Sequence, residues 1–145
     1  MKGRYVFYKK ILVAFDGSTT SSHALHHAAK LAKKVGSEKL TILHVNKDLP
    51  LQEPILNVNL DQLLDEENQE ILTPAIQFLS KSGMNYEVHT FSGNPAHIIT
   101  SYASEHNYEV IIIGNKGKGI IKEALLGSVS REVAQSAHCP VLIVK

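Results

Sequence analysis

The sequence predicts a doubly wound α/β fold, a parallel sheet covered by helices on both faces. Four segments are near-continuous apolar runs of strand length: Ile11-Leu-Val-Ala-Phe15, Leu40-Thr-Ile-Leu-His-Val45, Val110-Ile-Ile-Ile113 and Val141-Leu-Ile-Val144. Runs without polar alternation belong to strands buried on both faces. Between them, apolar residues recur at helical spacing, and strands alternating with helices build βαβ units with right-handed crossovers. At 145 residues the chain suffices for one core and is short for two, so residues 1–145 read as a single domain.

The elements follow in order. The basic, aromatic segment 2–10 reads as an extension packing its tyrosines on the domain; it is too polar for a signal peptide or membrane span. After the first strand, the serines and threonines from Ser18 to Ser22 offer N-caps. Ala24, Ala28, Ala32 and Val35 then form one stripe of a helix that Gly36 stops. Residues 46–59, between the second strand and the next helical pattern, lack periodicity and read as a surface loop. Leu60 to Ser82 is helical but interrupted by Pro74, which predicts a restart with Thr73 as N-cap. Tyr86-Glu-Val-His-Thr-Phe91 alternates in polarity, as a less protected edge strand does. Asn94-Pro95 opens a third helix that turns Ile98, Ile99, Tyr102 and Ala103 inward. A fourth starts near Ser128, with Val129, Val133 and Ala137 at helical spacing, before the last strand.

Composition narrows the function. With 15 basic and 14 acidic residues the formal charge is +1, so no overall field recruits nucleic acid or anionic membrane, and any anion site must be local. Cys139 is the only cysteine. That rules out an internal disulfide and fits a reducing, cytoplasmic setting.

Two strand ends carry unusual chemistry. The first empties into Asp16-Gly-Ser18, the fourth in chain order into Gly114-Asn-Lys-Gly-Lys-Gly119. Ligands of open α/β sheets bind outside the carboxyl ends of the strands, where the winding reverses. Glycines let backbone N–H groups face an anion without a Cβ in the way, and Ser128 adds a hydroxyl at a helix amino end. Together they describe a phosphate cradle. Neither G-x-x-x-x-G-K-[ST] nor G-x-G-x-x-G can be read across these glycines; the spacing is Gly114-x2-Gly117-x9-Gly127-Ser128.

That spacing resembles the nucleotide signature of the universal stress protein family in its ATP-binding branch. Val13-Ala-Phe-Asp-Gly-Ser18, Leu43-His-Val45, Gly93-Asn-Pro-Ala96 and Cys139-Pro-Val-Leu-Ile-Val144 extend the resemblance over nearly the whole chain. It implies a Rossmann-like, adenine nucleotide alpha hydrolase-like sheet of five strands in order 3-2-1-4-5. It also implies ATP, ADP or AMP as ligand, with any Mg²⁺ held mainly by phosphates. Ala14 and Asp16 would meet the ribose or adenine side, and the backbone at Val45 would edge the adenine. Gly114 and Gly117 would lie against ribose and phosphates, while Gly127, Ser128, Val129 and Ser130 would hold phosphate through N–H and hydroxyl groups. The resemblance further implies a homodimer; the apolar last strand, Val141–Val144, is then an edge that invites pairing with another chain.

Each residue also has a plainer reading. Gly114 to Gly119 could be a flexible loop, Asp16, Ser128 and Ser130 helix caps, and Lys116 and Lys118 solvated loop cations. His23 and His27 stand at i, i+4 without an evident third metal ligand, and with His26 they form a polar face. His44 reads as a packed, hydrogen-bonded strand residue and Cys139 as a buried inert thiol. Glu123 and Asp16 are the carboxylates near the cradle, and neither sits in a catalytic pattern. The sequence therefore favours a nucleotide-dependent sensor in stress response over an enzyme. The alternative is an ATP-using enzyme of the same fold, with slow hydrolysis or adenylyl transfer.

Overall fold

A computed structural model describes residues 7–47, 60–118 and 125–145, in which five parallel strands form one sheet. They are β1 (Lys10–Ala14), β2 (Lys39–Asn46), β3 (Tyr86–Ser92), β4 (Val110–Gly114) and β5 (Val141–Val144), in spatial order β3-β2-β1-β4-β5. The helices are α1 (Thr19–Val35), α2 (Leu60–Ser82), α3 (Pro95–Glu105) and α4 (Ser128–Ser136). Burial follows the sequence pattern. The unalternating runs of β1 and β4 lie at the centre, Ile11 opposite both Leu40 and Val110, whereas the alternating β3 is an edge strand whose residues are half-buried or exposed.

Successive side chains of β1 enter opposite cores, the two-residue period of a strand covered on both sides. Ile11, Val13 and Phe15 join Leu40, Ile42, Ala28, Leu72 and Leu79 beneath α1 and α2. Leu12 and Ala14 join Leu43, Ile99, Ala103, Ile111 and Val133 beneath α3 and α4. Each fully buried Leu or Ile is worth about 1.5–3 kcal/mol, which makes these two layers the main source of stability. The buried Tyr108 hydroxyl donates to Thr41 Oγ1 at 2.6 Å, so this pair enters the second core with a hydrogen bond made.

Local chemistry sets the helix ends. Ser18 caps α1, and Gly36 ends it at φ 71°; Asn94 caps α3 by accepting from the His97 N–H, with Pro95 in its first turn. The expected restart at Pro74 does not occur, because α2 runs through it as one helix. Thr73 is no N-cap, since its hydroxyl donates back to the Gln69 carbonyl at 2.5 Å. Pro74 deprives the Glu70 carbonyl of its i+4 donor, but both residues are on the exposed face. The inward stripe of Asn68, Leu72, Ala75 and Leu79 stays buried on either side of Pro74. Burying two leucines outweighs a penalty of about 3 kcal/mol for an interior proline.

The expected loop at 46–59 begins later than predicted: Asn46 closes β2, paired with Ser92, and residues 48–59 lie outside the described residues. Of the expected tyrosine extension, residues 1–6 also lie outside, while Tyr8 packs against the α1/α2 core. At the β3 edge, Glu87 meets Lys39 Nζ at 2.7 Å and His89 Nε2 at 3.0 Å, and the Lys39 bond is the main cause of a lowered carboxyl pKa. Cys139 is half-buried, and that burial raises its thiol pKa, in keeping with an inert residue. Among the described residues, no helix is long and apolar enough to cross a membrane.

Candidate functional site

The topology puts the carboxyl ends of β1 and β4 side by side, and a cavity of about 400 Å³ opens there. Ala14, Asp16, Val45, Gly114, Gly117, Gly127, Ser128, Val129 and Ser130, the residues singled out in the sequence, all line it. Ala14, Leu43, Val45, Ile99 and Ile113 give it an apolar wall, and Lys116 and Lys118 also line it. The wall on the α2 side adds Ile71 and Glu67, which carry no sequence signal because α2 reads simply as an amphipathic helix.

Two helix amino ends face this cavity and differ in their free donors. At α1, Asp16 Oδ1 accepts from the Ser18 N–H at 2.9 Å, and Ser18 Oγ accepts from the Ser21 N–H at 3.2 Å. Asp16 therefore braces the cap residue, and Ser18 is the cap. At α4 the cap position is Gly127, which has no side chain to offer. The amides of Ser128, Val129 and Ser130 find no acceptor among the described residues. A helix amino end carries roughly half a positive charge, and free amides there suit an anion.

The signature glycines differ in what a side chain would meet. A Cβ on Gly114 would lie 2.5 Å from Thr20 Oγ1, 2.7 Å from the Thr20 carbonyl carbon and 2.9 Å from the Ser21 nitrogen, so its absence lets α1 pack on β4. A Cβ on Gly117 would come within 2.9 Å of Asp16 Oδ2, which places the glycine loop directly against that carboxylate. On Gly127, at φ −73°, the nearest atom would be Lys116 Cα at 3.4 Å, which is ordinary contact. Nothing in the fold forbids a side chain there. Gly119 and Glu123 lie outside the described residues.

Loop and helix are also tied together. Thr20 Oγ1 donates to the Lys116 carbonyl at 2.5 Å, which anchors the loop on α1. Ser130 is buried, and its hydroxyl donates to the carbonyls of Asn115 at 2.8 Å and Gly127 at 3.2 Å. Its side chain thus serves the loop, and its amide is the group left free. Asn115 was missed because it occupies a variable position of the spacing.

His44 is buried in the cavity wall and, as expected, hydrogen-bonded: Nδ1 donates to the Phe15 carbonyl at 2.8 Å, while Nε2 is buried with no partner among the described residues. His23, His26 and His27 are exposed, with His23 and His26 bonded to backbone carbonyls of Lys145 and Ser22. Among the described residues, no group of His, Cys, Asp and Glu could hold a metal ion.

Residues 7–145 match the model of the universal stress protein family, and the chain belongs to that family. Universal stress protein YxiE of Bacillus subtilis is 35% identical to it, over 95% of this chain and 99% of the relative. A universal stress protein solved in complex with cAMP superposes with a TM-score of 0.73 at 26% identity, covering 96% of this chain and 98% of its own. One from Archaeoglobus fulgidus in complex with dAMP gives 0.68 at 27%, covering 96% and 99%. Some structural neighbours of this chain are therefore adenine nucleotide binders.

Proposed function

We propose that this chain binds an adenine nucleotide, ATP, ADP or AMP, in the crevice between β1 and β4. In this reading it acts as a nucleotide-dependent sensor in the cytoplasmic stress response. The observation that carries the proposal is the uncapped amino end of α4, with three amides facing a cavity that also has an apolar wall. An apolar wall suits a base and free amides suit phosphate. Asp16 Oδ2, beside Gly117, is placed for ribose hydroxyls, and a Mg²⁺ ion would be held mainly by phosphate oxygens and water. The cAMP and dAMP complexes of two relatives support the ligand class.

Sensing requires only that the nucleotide favour one conformation or assembly by binding it more tightly. The natural candidate is a homodimer through β5, an apolar edge strand, as the family resemblance implies. Light scattering at micromolar concentration tests it, and a monomer there refutes it. For the ligand, the purified protein is denatured and its supernatant run on ion exchange, with ATP calorimetry alongside. Released adenine nucleotide, or saturable heat that Gly117→Val abolishes, supports the site; neither, at millimolar ATP, refutes it. ATP turnover reaching about 1 s⁻¹ would favour an enzyme instead.

A further inference from the structure

The proposed cradle is made of two pieces of chain, 114–117 and 127–130, and Asn115 joins them. Its N–H donates to the Val144 carbonyl at 2.8 Å and fixes it to the end of β5. Its carbonyl accepts from the Gly127 N–H at 2.7 Å and from Ser130 Oγ at 2.8 Å. Its side-chain Nδ2 donates to the Leu125 carbonyl at 3.1 Å, just before α4. Backbone and side chain thus hold the same target, the amino end of α4, from one residue at the end of β4.

Asn115 is only 8% exposed, and its Oδ1 has no hydrogen-bond partner among the described residues. A buried acceptor without a donor destabilises a fold, and an apolar side chain of similar size would avoid that. Asparagine at this position is therefore poorly explained by stability. It is well explained by its donor, which reaches Leu125. Ser130 completes the clasp by spending its hydroxyl proton on the chain instead of leaving it for a ligand.

We infer that Asn115, with Ser130 as its partner, is a positioning residue of the cradle. It sets the separation between the glycine loop and the amides of Ser128, Val129 and Ser130. This rests on the adenine nucleotide reading above and adds that the clasp governs the grip on phosphate and leaves the grip on the base alone. A ligand's dependence on Asn115 should then grow with its number of phosphates.

Calorimetry of the full chain with ATP, AMP and adenosine tests this, using wild type, Asn115→Leu, Asn115→Ala and Ser130→Ala, with thermal melting of each. Asn115→Leu keeps the branching of the side chain and removes the orphaned acceptor, so the loss of a hydrogen bond and the added bulk are partly offset and it melts close to wild type. It nevertheless weakens ATP by about tenfold, AMP less and adenosine by under about twofold. Ser130→Ala follows the same order, and it carries the test if Asn115→Ala does not fold. Equal weakening of all three ligands, or no weakening of ATP, overturns the positioning role and leaves the nucleotide reading intact. A wild type that takes up neither ATP nor AMP overturns both.

Discussion

The amino ends of α1 and α4 open on the same crevice, and the chain treats them oppositely. Ser18 closes α1 with its own hydroxyl and is braced by Asp16, so that end is satisfied before any ligand arrives. Gly127 leaves α4 open. A Ser, Asp or Asn cap is better than Gly by only a few tenths of a kcal/mol, about 0.3, so leaving α4 without a side-chain cap costs the fold little. The contrast separates a helix end that the fold satisfies from one whose amides it leaves open to the crevice.

The strongest way to break the contrast is Gly114→Ala. Its Cβ meets α1 backbone at 2.7 Å, so α1 must shift off β4, and a loss of about 3 kcal/mol is expected in urea unfolding. A change of under about 0.5 kcal/mol would mean that α1 is not held by this contact.

Gly127→Asp sharpens the contrast by making α4 resemble α1. The position has extended backbone and room for a Cβ, so the carboxylate can cap α4 and complement its dipole. Stability should rise by about 0.5 kcal/mol while ATP affinity falls more than about tenfold, because the new anion occupies the phosphate donors. Unfolding and calorimetry on one preparation would show the two effects in opposite directions. Ser18→Ala is the counterpart at α1: stability falls by about 1 kcal/mol, and ATP loses less affinity than in Gly127→Asp.

The smallest effect belongs far from both ends. The Glu87 carboxyl is lowered by Lys39 and His89, so its contribution to stability is present above the ordinary carboxylate range and is lost as pH falls through its depressed pKa. The Glu87 side chain is 44% exposed and its ion pairs are screened by solvent, so Glu87→Gln should shift the melting midpoint at neutral pH by no more than about 2 °C.

These elements also show what the sequence could reveal. Strands, their alternation and the four helix starts were legible because they leave local traces such as an apolar run, a capping serine or an Asn-Pro pair. The glycine spacing picked out residues that the fold brings to one cavity. Pro74 misled because local proline chemistry was outweighed by burial of Leu72 and Leu79, which depends on the packed sheet. Gly114 was read as a ligand contact, and its spacing gave no hint that it also clears room for Thr20 and Ser21, residues distant in the chain. Asn115 and the hydroxyl of Ser130 escaped notice for the same reason, since their partners are brought close only by the fold.

The place of β1 in the sheet has a consequence for how the chain is made. Ile11 leaves the ribosome well before Val110, and it lies between Leu40 and Val110. Its first neighbour follows quickly, but at about 5–20 residues per second the second is delayed by several seconds. Throughout that interval one edge of this central apolar strand is bare, so a holding chaperone or another nascent chain can meet it. The crevice is assembled after that, once residues 127–130 have arrived, so no ligand can rescue the exposed strand during synthesis.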